Sequence, residues 1–340
     1  MKKDKQKTAL VLGAGGFIGN ALVSRLKSEG WWVRGADLKL PEFNISEADE
    51  FLRVDLRNHN EVSVAMLAPD QYALDDLSGS FDRVYQLAAD MGGAGYIFTG
   101  EHDSDVMHNS AQINLNVADL AVKFNVKLLF YSSSACIYPE FNQVDPDNPL
   151  CSEESAYPAK PDSEYGWEKL FSERLYKAYD RNHNLNVRIA RFHNIYGLRG
   201  SYNNGKEKAP AAICRKVIQS GTVNDYKVDV WGDGNQTRSF LFIYDCLDGI
   251  EALMKSNYTH PVNIGSEEMV TINQLVECVR KVEDKRIAVK HIDGPQGVRG
   301  RNSDNTLIYN ETGWKPKYSL EQGIELTYKW IKGQLTLQKK

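Results

Sequence analysis

Residues 8–30 constrain the fold more than any other stretch of the chain. Thr8–Leu12 is a short apolar run, Gly13, Gly16 and Gly19 follow at three-residue intervals, and Phe17–Glu29 carries apolar residues at helical spacing up to Gly30. The pattern reads as a strand, a tight turn and a helix. Further apolar runs follow at Trp32–Ala36 (ending at Asp37), Phe51–Val54 (ending at Asp55), Arg83–Leu87, Lys127–Ser132 and Val187–Ala190. Helical stretches such as Asn114–Asn125 and Glu164–Asn182 lie between them. Strands alternating with helices predict an α/β fold of Rossmann type, a doubly wound parallel sheet with ligands beyond the carboxyl ends of its strands.

With 340 residues, the chain exceeds the usual single core of roughly 100–200 residues, so two joined domains are expected. The first, mainly 1–196, is the nucleotide-binding part. The second, mainly 197–335, is a smaller, interleaved C-terminal substrate-binding α/β domain, with part of the chain near 232–260 returning to the first. Its walls are read in the glycine-rich, polar segments Gly200–Lys208, Trp231–Thr237 and Gly294–Asn305.

A net charge of −4 gives no basic footprint for nucleic acid. The apolar run after the basic start is too short for a secretion signal, so a cytoplasmic residence without membrane association is expected. The five scattered cysteines contain no C-x-x-C pair, which indicates neither a disulfide framework nor a zinc site. The cluster Glu101, His102, Asp103, Asp105, His108 matches no metal-ligand spacing and reads as a solvated loop, so no metal is expected.

Glycines serve plain turns as readily as ligands, and alone they say little. Asp37 adds to them: an acid at the end of the second strand, about 20 residues on, accepts hydrogen bonds from an adenosine ribose and repels a 2'-phosphate, which favours NAD over NADP. Asp55 either faces the adenine or caps a helix. Tyr165 and Lys169, four residues apart on a helix, share one face. An isolated pair of this kind is commonly a solvated helix face, but here it follows a dinucleotide fold and the strand-end run Ser132-Ser133-Ser134. A phenol with a reference pKa of about 10 needs a nearby ammonium to pull it down before it can take a proton from a hydroxyl.

The glycine motif, Ser134, Tyr165 and Lys169 resemble the extended short-chain dehydrogenase/reductase family. Longer segments are similar to the GDP-mannose 3',5'-epimerase branch of it. These are Ala88–Gly93, Ser133–Glu140, Arg191–Gly197, Glu207–Ala212, Trp231–Gly234, Gln236–Phe240 and Gly297–Asn305. The resemblance spans nearly all of residues 8–331. It implies NAD held by Gly13, Gly16, Phe17, Ile18, Gly19, Asp37, Asp55, Tyr165 and Lys169. It further implies a nucleotide sugar, GDP-mannose, held by Gly92, Ser134, Ala135, Cys136, Asn194, Glu207, Lys208, Ala209, Lys216, Gln236, Arg238 and Arg301, with the two arginines forking onto phosphate oxygens.

The reaction the resemblance implies oxidises C4' transiently, which acidifies C3' and C5'. Inversion then needs a base on one ring face and an acid on the other, Cys136 and Lys208, while Tyr165 handles the C4' hydroxyl proton. GDP-L-galactose is the expected product and GDP-L-gulose the product of C5' inversion alone. A lone cysteine is usually buried filler and a lone lysine usually solvated; the motif match is what assigns both. A homodimer through helices near 109–125 and 164–182 is also implied.

Departures from the family pattern are the longer loops 98–105 and 221–227, Tyr202-Asn203-Asn204, and Tyr244-Asp245. Among rivals, a 4,6-dehydratase needs an acid pair where Ala135 and Cys136 stand, a 4-epimerase leaves Cys136 and Lys208 idle, and a cofactor-sensing regulator has no use for Ser134, Tyr165 and Lys169 together.

Overall fold

In the computed structural model, residues 6–68, 80–220, 227–294 and 297–338 are described. The first half runs β1 (Thr8–Leu12), α1 (Phe17–Ser28), β2 (Trp32–Asp37), β3 (Glu50–Arg53), α2 (His59–Met66), β4 (Arg83–Gln86), α3 (Ala94–Ile97), α4 (Asp103–Lys123), β5 (Leu129–Ser134), α5 (Glu164–His183) and β6 (Val187–Phe192). The second half adds β7 (Ile195–Tyr196), α6 (Ala209–Gln219), β8 (Lys227–Trp231), β9 (Thr237–Ser239), β10 (Leu241–Phe242), α7 (Ile243–Lys255) and β11 (Val262–Ile264). It closes with β12 (Met269–Thr271), α8 (Ile272–Lys281), β13 (Ala288–Ile292), β14 (Gly300–Arg301), α9 (Thr306–Thr312) and α10 (Leu320–Leu337).

Seven strands form one parallel sheet in the order β11-β6-β5-β4-β1-β2-β3. Strand β1 is buried on both faces, and its side chains alternate between two apolar clusters. Ala9 and Val11 pack with Leu22, Val23 and Leu26 of α1 and with Ile250 of α7. Leu10 and Leu12 pack with Val62 of α2 and with Val117 and Ala121 of α4. The period-2 pleat thus places helices on both faces, as the fold class predicts. The order of the sheet reverses between β1 and β4, and the carboxyl ends of these strands flank the crevice where such folds bind ligands.

The cluster on the α1 face continues into the second half through Val217 of α6, Leu275 and Val279 of α8, and Ile324 and Ile331 of α10. The outermost strand of the sheet, β11, also comes from late in the chain. Its Asn263 is buried: the Tyr138 hydroxyl donates to Asn263 Oδ1 at 2.6 Å, His193 Nε2 lies 2.9 Å from the same oxygen, and Asn263 Nδ2 donates to the Cys151 carbonyl at 2.9 Å.

Two expectations about local structure are corrected. The stretch 101–108 is not a solvated loop throughout: Asp103 begins a 21-residue helix. Asp103 and Asp105 sit in its first turn, where carboxylates favour the positive end of the helix. Strand β5 runs to Ser134, two residues beyond the expected end. Its serines remain in the ladder because their hydroxyls find buried partners, Ser132 donating to the Gln86 carbonyl and Ser133 to Glu173.

Candidate active site

The glycine turn is built by close approach of two loops. Gly13 has φ +87°, and a Cβ there would lie 2.8 Å from the backbone nitrogen of Ala88 beyond β4. Its lack of a side chain therefore serves both the turn and the crevice. Helix α1 begins at Phe17 with no side chain capping its first turn and no acid within it, so its leading N–H groups face outward as donors. Asp37 at the end of β2 ties the turn down: its two carboxylate oxygens accept the Gly15 N–H at 2.9 Å and the Lys39 N–H at 3.1 Å. Burial pushes its carboxyl above the ordinary value against these bonds. Gly15, which the spacing argument passed over, thus anchors the acid at the end of β2.

A cavity of about 550 Å³ opens at the carboxyl ends of β1 and β4. Gly13, Gly16, Phe17, Ile18, Gly19, Asp37 and Asp55 line it together with Gly92, Ser134, Ala135, Cys136, Tyr165, Lys169, Asn194, Lys208 and Arg301. Asp55 at its rim is paired with Arg57 at 2.7 Å, and this pairing holds its carboxyl below the ordinary value. Asn194, with φ +45°, donates to the Ser239 carbonyl at 2.9 Å.

Five of the residues that the resemblance placed around the substrate are not on the cavity wall. Ala209 begins α6 behind Lys208. Lys216 donates to the Asp229 carbonyl at 2.7 Å, Glu207 pairs with Arg215 at 3.0 Å, and Gln236 donates to the Trp231 carbonyl at 3.0 Å. Arg238 donates to the carbonyls of Thr237 and Val298 at 2.8 and 2.7 Å. Arg238 and Arg301 are register partners on β9 and β14, which explains why two guanidiniums share this interior. Burial first, and Arg301 next, push Arg238 down to about 10. Glu207 Oε2 and Gln236 Oε1 are buried without a hydrogen-bond partner.

The side chains expected to react are positioned, Lys208 apart, by the end of β5 and the start of α5. Ser134 Oγ accepts the Cys136 N–H at 3.2 Å and so caps the short 3₁₀ turn Ala135–Ile137 that carries the thiol. The Ser163 hydroxyl caps α5 by accepting the Gly166 N–H. A Cβ on Gly166 would lie 2.2 Å from the Cys136 carbonyl oxygen. This glycine, whose role no spacing rule signals, is what lets Tyr165 reach the turn bearing Cys136. Lys169, buried at 2% exposure, donates to the Ser132 carbonyl at 2.9 Å, with its Nζ 5.7 Å from the centroid of the Tyr165 ring.

At that distance the cation does not do what the sequence led us to expect. Burial pushes the Tyr165 phenol up, Cys136 adds to this, and the hydrogen bond with Ser134 only partly offsets them. Burial likewise pushes Lys169 down, against Glu168, Cys136 and Glu173. Lys208, at the threshold of α6, is lowered by burial first and also by Arg301, while Cys136 pulls it the other way. An amine shifted in this direction is closer to accepting a proton near neutrality.

Arg301 is more fully engaged by protein than a bare phosphate fork. Its Nη1 donates to Cys136 Sγ at 3.1 Å, its Nη2 to Asp162 Oδ2 at 2.8 Å and its Nε to Gln143 Oε1 at 2.5 Å. Asp162 and Gln143 carry no sequence signal for this contact, being 139 and 158 positions away from Arg301 in the chain.

Two departures from the family pattern have structural work. Tyr202 is fully buried, stacks on Phe43 and meets Trp330 edge to face. Asp245 accepts the backbone N–H groups of Lys317 and Tyr318 at 3.0 and 2.9 Å. The longer loop 221–227 lies, up to residue 226, outside the described residues. Among the described residues no cluster of side chains suited to a metal ion occurs, and no helix is long and apolar enough to cross a membrane.

A nucleotide-binding crevice with a Ser-Tyr-Lys set at its floor defines a dehydrogenase-like enzyme class. The chain belongs to the NAD dependent epimerase/dehydratase family, whose model matches residues 9–265. It is 45% identical over 332 residues to GDP-mannose 3,5-epimerase of Arabidopsis thaliana, spanning 97% of this chain and 83% of the relative. It is 44% identical to GDP-mannose 3,5-epimerase 1 of Oryza sativa subsp. indica, over 97% and 82%. The structure of UDP-glucose 4-epimerase with UDP-glucose from Thermotoga maritima superposes with a TM-score of 0.82 at 23% identity, covering 96% of this chain and 99% of that one; this likeness concerns the fold. The chain is thus an epimerase of an NAD-dependent family, and the glycine turn, the uncapped start of α1 and Asp37 fit that cofactor.

Proposed function

We propose that the protein converts GDP-mannose to GDP-L-galactose, with GDP-L-gulose as the product of inversion at C5' alone. The observation that carries this reading is the meeting of Cys136 and Lys208 in one cavity with Ser134, Tyr165 and the glycine turn. The GDP-mannose 3,5-epimerases that are 44–45% identical over 97% of the chain support it.

NAD, when bound, supplies removal and later return of a hydride at the sugar C4', which acidifies the hydrogens on C3' and C5', and an oxidised nicotinamide whose positive charge favours the phenolate. Tyr165 exchanges the proton of the C4' hydroxyl, with Ser134 bonded to its phenol oxygen. Lys169 is held in place by the Ser132 carbonyl. Cys136 and Lys208 take and return protons at carbon, one on each ring face, and burial that lowers Lys208 suits it to this exchange. Arg301, on the cavity wall, offers positive charge to the diphosphate, and Arg238, its register partner on β9, adds to that charge from behind the wall.

With GDP-mannose in deuterated water, deuterium is expected at C3' and C5' of a product that keeps its 6-hydroxyl. Inversion at C4' without carbon-bound deuterium would indicate a 4-epimerase, and loss of the 6-hydroxyl a dehydratase; either would overturn the proposal.

In this reading residues 1–196 mainly hold NAD and 197–335 mainly hold the sugar nucleotide, with a return near 232–260. The pairing of β11 with β6 and the packing of α7 on α1 support that return and extend it to Ile264. A homodimer fits the outward faces of α4 and α5, where Leu115, Trp167 and Phe171 are 41%, 41% and 45% exposed; a second copy would cover this apolar strip. Sedimentation equilibrium should give twice the 38.4 kDa chain mass, and Trp167→Glu should shift it to one. A monomeric parent protein would refute this. Five free cysteines, three of them buried, fit the reducing cytoplasm, which fractionation of tagged cells would check.

A further inference from the structure

We infer that Asp162 is a positioning residue which, together with Gln143, holds the Arg301 guanidinium against the sulfur of Cys136, so that this cation favours the charged, proton-accepting form of the thiol. The inference rests on the reading of Cys136 as a proton-exchange group. It assigns Arg301 a duty toward a protein atom in addition to any toward a phosphate.

The argument is geometric. A guanidinium is a rigid planar fork with five N–H groups, so fixing two arms fixes the direction of the third. Gln143 fixes the Nε arm, and which end of its amide does so is settled by its own partners. Gln143 Nε2 donates to the carbonyls of Tyr138 and Pro139 at 3.1 and 3.2 Å, which leaves Oε1 as the acceptor facing Arg301. Asp162 fixes the Nη2 arm, with both side chains of the pair nearly buried at 6% and 7% exposure. The remaining arm then points at Cys136 Sγ, 3.1 Å away.

A neutral thiol is a weak acceptor and gains little from such a donor, whereas a thiolate gains a charge-assisted hydrogen bond in surroundings with little water. Burial alone would push the guanidinium down, but Cys136 and Asp162 outweigh it and hold it above its ordinary value, so the donor stays cationic throughout. The carboxylate of Asp162 by itself opposes a thiolate. Its benefit to Cys136 therefore comes through Arg301, by holding the fork in place.

The test reads Cys136 directly rather than through turnover. The NAD-loaded full chain is alkylated with iodoacetamide across a pH series, and modification at Cys136 is followed by peptide mass spectrometry with half-buried Cys278 as the internal reference. Arg301→Gln and Asp162→Ala are expected to raise the pH midpoint at Cys136 by about one unit or more, an approximately tenfold smaller thiolate fraction near neutrality. Asp162→Asn keeps an acceptor oxygen for Arg301 while removing the opposing charge, so its midpoint should match or fall below that of the parent. It also serves if the alanine variant fails to fold. A Cys136 midpoint that stays put in Arg301→Gln, or that rises in Asp162→Asn, overturns the assignment. Undiminished epimerisation by Cys136→Ser would instead remove the reading of Cys136 as a proton-exchange group, while leaving the alkylation profile intact as a measure of what Arg301 does to the sulfur.

Discussion

Cys136→Ala and Lys208→Ala are each expected to slow formation of inverted product by about 10²- to 10⁴-fold, the range typical of losing a positioned acid or base, while NAD stays bound. Inversion needs two groups, but exchange needs one. A surviving partner can still take a proton from carbon and put one back on the same side. Each single variant should therefore incorporate solvent deuterium into recovered substrate without changing its stereochemistry at the carbon where the remaining group is the base. NMR of the recovered sugar nucleotide separates the two outcomes. Inverted product at near-parental rate from either variant would show that the proposed pair is wrong. Because Cys136 sits on a 3₁₀ turn capped by Ser134 and Lys208 precedes α6, neither truncation removes a capping side chain, so the loss is expected in chemistry rather than in folding.

Tyr165→Phe is expected to fail one step earlier. Removing the phenol oxygen removes the group that exchanges the C4' hydroxyl proton, so hydride transfer should drop by a similar factor of about 10²–10⁴. Deuterium should then appear at neither C3' nor C5', since nothing has acidified those positions. This pattern differs from that of the Cys136 and Lys208 variants, which still permit the oxidation. Rapid-mixing absorbance of the reduced nicotinamide, read beside deuterium content, distinguishes them. Exchange at carbon persisting at the parental rate in Tyr165→Phe would contradict its role. Because burial holds the phenol above its ordinary value, the expectation that Lys169 alone pulls Tyr165 down is not met.

How much of this was legible beforehand depends on the length and regularity of each signal. The strands β1 to β4 were readable because each is a short, mainly apolar run with a glycine or an acid at one end, β5 and β6 because each is a short run rich in apolar residues beside a helical stretch, and the crevice followed from their order. The end of β5 was misread because serines normally leave a strand. Here they stay, since Gln86 and Glu173 receive their hydroxyls. The start of α4 was missed because a run of charged residues gives no apolar period. The second half defeats periodicity altogether: β9, β10, β11, β12 and β14 are two or three residues long.

Within the site, Tyr165 and Lys169 followed from helical spacing and Asp37 from its place at a strand end. Cys136, Lys208 and Arg301 came only from likeness to a family. The contacts of Arg301 with Asp162 and Gln143 were invisible, because nothing local in a sequence relates side chains more than a hundred positions apart.

The late arrival of β11 has a consequence for synthesis. As the chain leaves the ribosome, strand β6 remains an open edge until residue 264 has been translated, and Tyr138 and His193 wait as long for Asn263. An N-terminal fragment ending before that point would carry a nearly whole nucleotide-binding crevice beside a bare strand, a template for pairing with other chains. Dividing this enzyme into separately expressed halves is therefore a route to aggregates, and the cell receives a working crevice only when most of the polypeptide has been made.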